Sequence, residues 1–290
     1  MGIVIRKPLI QEIQDDSFKN KKLQLFVLRL DLLHEYISGN KWYKLKYNLE
    51  EAQKQGKRTL LTFGGAYSNH IIATAAAAKE FGFSAIGIIR GDELKEPNER
   101  LLFAQEMGMK LLYVSRELYR EKEKLMKYVN EAVDINEIYI LPEGGSNDLA
   151  VKGCREILNN IDINYDIVCC ACGTGTTLAG IALSLKRDRA VIGFSSLKGG
   201  AFLEKEVQNY VGMEMHNWSV ETNYHFGGYA KSTSELLDFI KGFNQKHNIE
   251  LDYVYTGKMM YGIFDLAKKN RFIPGSRILA IHTGGLYKNK

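Results

Sequence analysis

Short apolar runs alternate with stretches of helical spacing along most of the chain. Residues 59–63, 84–89, 109–114, 138–141, 167–170, 190–194 and 277–281 are apolar runs of strand length. Between or after them, residues 69–81, 100–107, 117–129, 149–158, 177–186 and 258–269 space their apolar positions as helices do. The stretch at 69–81 is alanine-rich and stops at Gly82. Repeated alternation of strand and helix predicts an α/β fold, with parallel sheets covered by helices on both faces. The chain holds no internal repeat or low-complexity tract. Its 4 prolines leave few hard breaks, so composition alone places no domain boundary.

Glycine pairs follow the strands at 64–65, 144–145, 173–175 and 284–285. Ligands of open α/β sheets bind beyond the carboxyl ends of strands, so four such turns predict one shared cleft. The turn at 170–180, Cys-Ala-Cys-Gly-Thr-Gly-Thr-Thr-Leu-Ala-Gly, is the most informative of them. Unpaired amides and the positive end of a helix dipole favour a phosphate there. Gly173 and Gly175 allow close backbone approach, and Thr174, Thr176 and Thr177 add hydroxyls. A dinucleotide fingerprint needs a third glycine where Leu178 stands, and an acid after the next strand, where the chain reads Ser195-Ser196-Leu197-Lys198. A P-loop needs a lysine that is missing here. The turn therefore suits one phosphate monoester, carried by a small cofactor such as pyridoxal phosphate or by a phosphorylated substrate.

Bulk composition narrows the classes without choosing among them. The 290 residues are 45% hydrophobic and 25% charged, with a formal net charge of +5. Lys and Glu are interspersed, and aromatic residues do not interleave with basic clusters, so no nucleic-acid partner is expected. No apolar run has membrane-spanning length and the first residues carry no leader pattern, so a cytoplasmic protein with no membrane partner is expected. Cys154, Cys169, Cys170 and Cys172 read as small buried hydrophobes; the Cys169-x-x-Cys172 spacing has no second pair or nearby histidine, and no metal site is expected.

If the phosphate belongs to pyridoxal phosphate, a lysine must form its Schiff base. Lys41 stands out, in Ser38-Gly39-Asn40-Lys41-Trp42-Tyr43-Lys44-Leu45, a turn entering a helix with two aromatics beside it. Partial burial there would lower its pKa, as a nucleophilic amine requires. Six motifs occur in order: Gly39-Asn40-Lys41-x-x-Lys44-Leu45, Gly64-Gly65-x-x-Ser68-Asn69-His70, Pro142-Glu143-Gly144-Gly145-Ser146-Asn147, Gly173-Thr-Gly-Thr-Thr177, Tyr255-x-Gly257-Lys258 and His282-Thr283-Gly284-Gly285. Together they resemble the D-cysteine desulfhydrase and 1-aminocyclopropane-1-carboxylate deaminase family, of the tryptophan synthase β-like class. The resemblance spans residues 23–287.

The resemblance implies that Lys41 carries the Schiff base and serves as the base. It places the substrate carboxylate at Ser68, Asn69 and His70, with the Ser68 hydroxyl on the substrate and Asn69 on the cofactor's phenolic oxygen. Gly173 to Thr177 would hold the phosphate. Tyr229 and Tyr255 match two tyrosines near the substrate. The deaminase pattern has a glutamate after the second tyrosine; this chain has Thr256, with Thr283 on the adjacent turn, and a neutral hydroxyl at the ring nitrogen supports a weaker electron sink. His70 also matches the desulfhydrase side, whereas Tyr43 stands where the family usually has arginine. The implied activity is β-elimination on a small amino acid, D-cysteine giving pyruvate, ammonia and hydrogen sulfide. The alternatives are 1-aminocyclopropane-1-carboxylate deamination to 2-oxobutanoate and ammonia, and a non-catalytic binder of a phosphorylated small molecule. The family also implies a homodimer, a larger cofactor domain formed by residues 1–49 and 161–290, and a smaller one of residues 50–160.

Overall fold

The computed structural model describes residues 4–92 and 98–286. In chain order the elements are β1 (Leu9–Ile13), α1 (Asp16–Lys19), β2 (Gln24–Arg29), α2 (Asn40–Lys54), β3 (Thr59–Gly65), α3 (Asn69–Phe81), β4 (Ser84–Arg90) and α4 (Glu99–Glu106). They continue with β5 (Met109–Val114), α5 (Arg116–Arg120), α6 (Lys122–Ala132), β6 (Ile138–Leu141), α7 (Asp148–Cys154), β7 (Ile167–Cys172) and α8 (Thr176–Ser184). The last are β8 (Ala190–Ser195), α9 (Phe202–Val211), β9 (Trp218–Glu221), α10 (Ser234–His247), α11 (Thr256–Lys268) and β10 (Arg277–His282).

Two sheets result. One has six strands in the order β1-β2-β10-β7-β8-β9, parallel throughout except that β1 runs antiparallel to β2. The other has four parallel strands in the order β5-β4-β3-β6. The sequence of β7, Ile-Val-Cys-Cys-Ala-Cys, explains its central place. Alternate side chains face opposite ways: Cys169 and Ala171 pack with Met259 and Ile263 of α11, while Val168, Cys170 and Cys172 pack with Leu178 and Ile181 of α8. All four cysteines are buried and free. In the smaller sheet Leu60 meets the alanine-rich face of α3, and Leu61 and Phe63 meet Leu125 and Val129 of α6.

The α/β alternation of the sequence is thus the architecture. Two differences have physical causes. The helix predicted over 117–129 is broken at Glu121, which leaves helical backbone angles (φ −89°, ψ 81°). On one straight helix Tyr119 and Leu125 would point about 120° apart; the break lets both bury in the same core. The pattern also leaves β1, β2, α9, β9 and α10 undetected. The edge strand β1 buries only Ile13 fully, so it lacks the apolar run that marks an interior strand.

Candidate active site

The carboxyl ends of β3, β6, β7 and β10 supply the four glycine turns, and the turns meet. Gly39, just before α2, has φ +64°, and a Cβ there would lie 1.9 Å from the Thr283 carbonyl oxygen. The Asn40 N–H donates to that same oxygen at 3.3 Å. Lys41 therefore emerges against the turn after β10. On the other side, a Cβ at Gly285 would lie 2.3 Å from Asn69 Nδ2, which brings the start of α3 to the same place. Ser38, Lys41, Asn69 and Gly285 line one narrow cleft.

The turn at 173–177 opens α8, the helix start that a phosphate turn requires. Gly175 precedes α8 at φ +78° and provides no side-chain cap, so the first amides of the helix stay free. Thr176 and Thr177 are buried behind it, and Asn40 Nδ2 donates to Thr177 Oγ1 at 2.8 Å. Thr174 Oγ1 accepts from Ser146 Oγ at 2.7 Å and from Lys44 Nζ at 3.1 Å. Lys44 also donates to the Gly144 carbonyl at 3.0 Å and is only 2% exposed. Burial pushes its pKa down. Its hydrogen-bond partners are neutral oxygens, a costly state for a buried cation. A phosphate bound on the free amides of α8 would supply the missing anion, so the residues present fit pyridoxal phosphate.

Lys41 is partly buried, and its pKa is lowered to about 7, first by burial and then by the charge of Lys44. A substantial fraction is thus free amine near neutrality. Ser68 caps α3, accepting from the Ile71 N–H, and still has its own proton to give. Asn69 Oδ1 accepts from the Arg100 guanidinium, which also donates to the Tyr67 carbonyl at 3.1 Å. Arginine can only donate, so the amide of Asn69 is oriented with Nδ2 towards Gly285 and the cleft. His70 is 1% exposed, and burial holds its pKa well below the ordinary value. Its ring lies under the Gly145 turn, 3.5 Å from Thr74 Oγ1 through Nε2, and its Nδ1 has no partner. His70 can therefore offer the cleft its backbone amide at the helix start, while its ring serves the turn below.

Tyr229 and Tyr255 meet edge to face, with ring centroids 6.0 Å apart. The two hydroxyls share a hydrogen bond, and burial raises the pKa of both. A Cβ on Gly173 would lie 3.2 Å from the Tyr255 ring, so the pair stands beside the phosphate turn.

These features, with 8–284 of the chain matched by the profile of pyridoxal-phosphate dependent enzymes, settle the family. The chain belongs to the pyridoxal-phosphate dependent enzymes. Its cofactor is pyridoxal phosphate. It is similar to the bifunctional mitochondrial D-cysteine desulfhydrase/1-aminocyclopropane-1-carboxylate deaminase of Arabidopsis thaliana, at 32% identity over 91% of this chain and 72% of that one. A Pyrococcus furiosus protein provisionally named 1-aminocyclopropane-1-carboxylate deaminase is 34% identical over 90% of this chain and 84% of its own. Among solved structures, an ACC deaminase homologue matches with TM-score 0.81 and 29% identity, covering 98% of this chain and 91% of that one. A hydrogen sulfide-producing enzyme from Fusobacterium nucleatum shares the fold, with TM-score 0.73 and 15% identity over 97% and 96% of the two chains.

One site residue is placed differently from expectation. The Thr256 hydroxyl donates to Asp252 Oδ2 at 2.6 Å and accepts the Asp252 N–H at 2.9 Å. Asp252 also accepts the amides of Val254, Tyr255 and Thr256, so it ties down the turn that leads into α11. Thr256 therefore has no proton for a pyridine nitrogen. Three contributors escaped the sequence reading: Lys44, Arg100 and Asp252. Lys44 stands one helical turn after Lys41, which was a usable signal, and Asp252 four residues before Thr256 was another. Arg100 carried none, because it reaches Asn69 across 31 positions.

Proposed function

We propose that the protein catalyses β-elimination on D-cysteine, giving pyruvate, ammonia and hydrogen sulfide. The observation that carries this choice is that neither position the resemblance puts at the ring nitrogen is a carboxylic acid. The residue after the second tyrosine is Thr256, its proton is held by Asp252, and Thr283 is a hydroxyl. A carboxylic acid there would strengthen the electron sink, as cleavage of a cyclopropane demands; loss of a thiolate needs less.

Bound pyridoxal phosphate supplies the sink into which the electrons of the broken Cα–H bond are drawn. The chain does the rest. Amides at the start of α3, with the Ser68 hydroxyl, hold the substrate carboxylate against a positive dipole end. Lys41, a neutral amine once free, removes the α-proton. As the Cβ–S bond breaks, Tyr229 gives its proton to the sulfur. Its raised pKa keeps it protonated, and once it has given up that proton the Tyr255 hydroxyl would donate to its oxygen and stabilise the charge left behind. The released aminoacrylate hydrolyses to pyruvate and ammonia. The free amides of α8 and Lys44 anchor the phosphate, with Gly173, Thr174, Gly175, Thr176 and Thr177 as the cradle.

A side-by-side assay of D-cysteine, L-cysteine, D-serine and 1-aminocyclopropane-1-carboxylate tests the reading. Pyruvate with sulfide from D-cysteine is expected. Keto acid from the cyclopropane alone would reverse the choice in favour of deamination.

We also propose the division into residues 1–49 with 161–290 and residues 50–160. Supporting it, the six-stranded sheet draws its strands from 9–29 and 167–282, and the four-stranded sheet from 59–141. Helix α2 spans the boundary: it starts on Thr283 and buries Leu45 and Leu49 beside Leu60 and Ile71. A homodimer in the cytoplasm completes the proposal, and the mass in solution tests the first part. Among the described residues, no helix is long and apolar enough to cross a membrane.

A further inference from the structure

The loop carrying Tyr229 has unfavourable backbone. Phe226 (φ +48°), Gly227 (φ +91°), Gly228 (φ +117°) and Ala230 (φ +54°) all lie at positive φ, and two of these are not glycine. Such a segment persists only where its surroundings hold it. The holder is Lys258, one turn along α11 from Tyr255. Its side chain is 1% exposed, and Nζ donates to the carbonyls of His225 at 2.8 Å and Gly228 at 2.7 Å, with the Ser196 carbonyl at 3.5 Å. None of these partners is a carboxylate. Burial lowers its pKa to about 8, against the opposing charge of Asp252. Three backbone carbonyls converging on one positive centre form the donor set that a free alkali cation also takes.

We propose that Lys258 is a tethered monovalent cation, whose ammonium fills a carbonyl cage and so fixes the 225–230 loop with Tyr229 against Tyr255. Lys258 is a positioning residue: it acts through Tyr229 and touches no reacting atom. The consequence for turnover rests on the role given to Tyr229 above, whereas the cage does not.

Lys258→Ala opens the cage to ions from solution. In tetramethylammonium chloride, whose cation is too large to enter, the apo variant is expected to melt below the wild type, and the holoenzyme to lose kcat roughly ten- to hundredfold with a smaller change in KM. Potassium or ammonium chloride at equal ionic strength should restore both, while the wild type ignores the cation. Lys258→Met fills the cage with a neutral chain; it should lose kcat and gain nothing from any salt. Identical melting of Lys258→Ala in potassium and tetramethylammonium would overturn the proposal. So would wild-type melting of apo Lys258→Met, which decides the matter if the alanine variant folds in no salt. The melting comparison needs no substrate, so it stands apart from any failure of the D-cysteine reading.

Discussion

The Lys44 ammonium lies 3.1 Å from the Thr174 hydroxyl, and the second oxygen it reaches is the Gly144 carbonyl. A buried cation on two neutral acceptors is waiting for an anion, and the turn that holds Thr174 opens a helix. Lys44→Met should therefore weaken cofactor binding while leaving the apo fold intact. Losing a charge-assisted hydrogen bond costs about 1.5–3 kcal/mol, roughly ten- to hundredfold in affinity. Titration of apo protein with pyridoxal phosphate measures it. Inorganic phosphate should also raise the melting point of apo wild type more than that of the variant.

Lys41 gives a pH signature. Its pKa stands at about 7, because burial and the nearby Lys44 charge both disfavour the ammonium. Only the neutral amine attacks the cofactor, so the rate of cofactor uptake by apo protein should rise as pH increases through about 7 and level off above it. Lys44→Met removes a like charge and should move that rise to higher pH. Lys41→Ala should bind the cofactor without the near-visible band of its lysine-linked form.

The tyrosine pair shares a hydrogen bond, and the role proposed for Tyr229 makes the two unequal. Tyr229→Phe should lower kcat about 10²-fold or more, the scale of lost acid catalysis, with a smaller effect on KM. Tyr255→Phe should cost less. Steady-state kinetics of both variants, with equal kcat losses as the contrary result, would decide the order.

Arg100 fixes the amide of Asn69 by offering it only donors. Arg100→Met frees that amide to rotate, so the absorption maximum of the bound cofactor should shift and its affinity fall by about tenfold, the worth of one hydrogen bond. Unchanged spectrum and affinity would remove Arg100 from the site.

Gly39 is where the fold leaves least room. With φ +64° and the Thr283 carbonyl 1.9 Å from any added Cβ, Gly39→Ala must separate α2 from the turn after β10. Loss of soluble protein, or of cofactor binding in whatever folds, is expected. A variant that binds cofactor normally would contradict the contact.

Much of this was legible in the chain. The apolar run at 167–170 predicts a strand, and it is an interior one because a strand buried on both faces must be apolar at every position. The glycines and threonines at 173–177 predict a phosphate turn because free helix amides and small residues are local properties. Lys41 could be selected by its neighbours and by the motif order. All of these depend on residues close in sequence.

What only the tertiary structure decided is where protons and charges go. Thr256 looked available for the cofactor until Asp252 was seen to hold its proton. Where the ring of His70 goes, under Gly145, was not visible in the motif that selected its helix-start amide. Lys44 and Thr174 are 130 positions apart, and Lys258 and Gly228 are 30 apart. A hydrogen-bond donor has one partner at a time, and which one it takes depends on chain closure that no local pattern records.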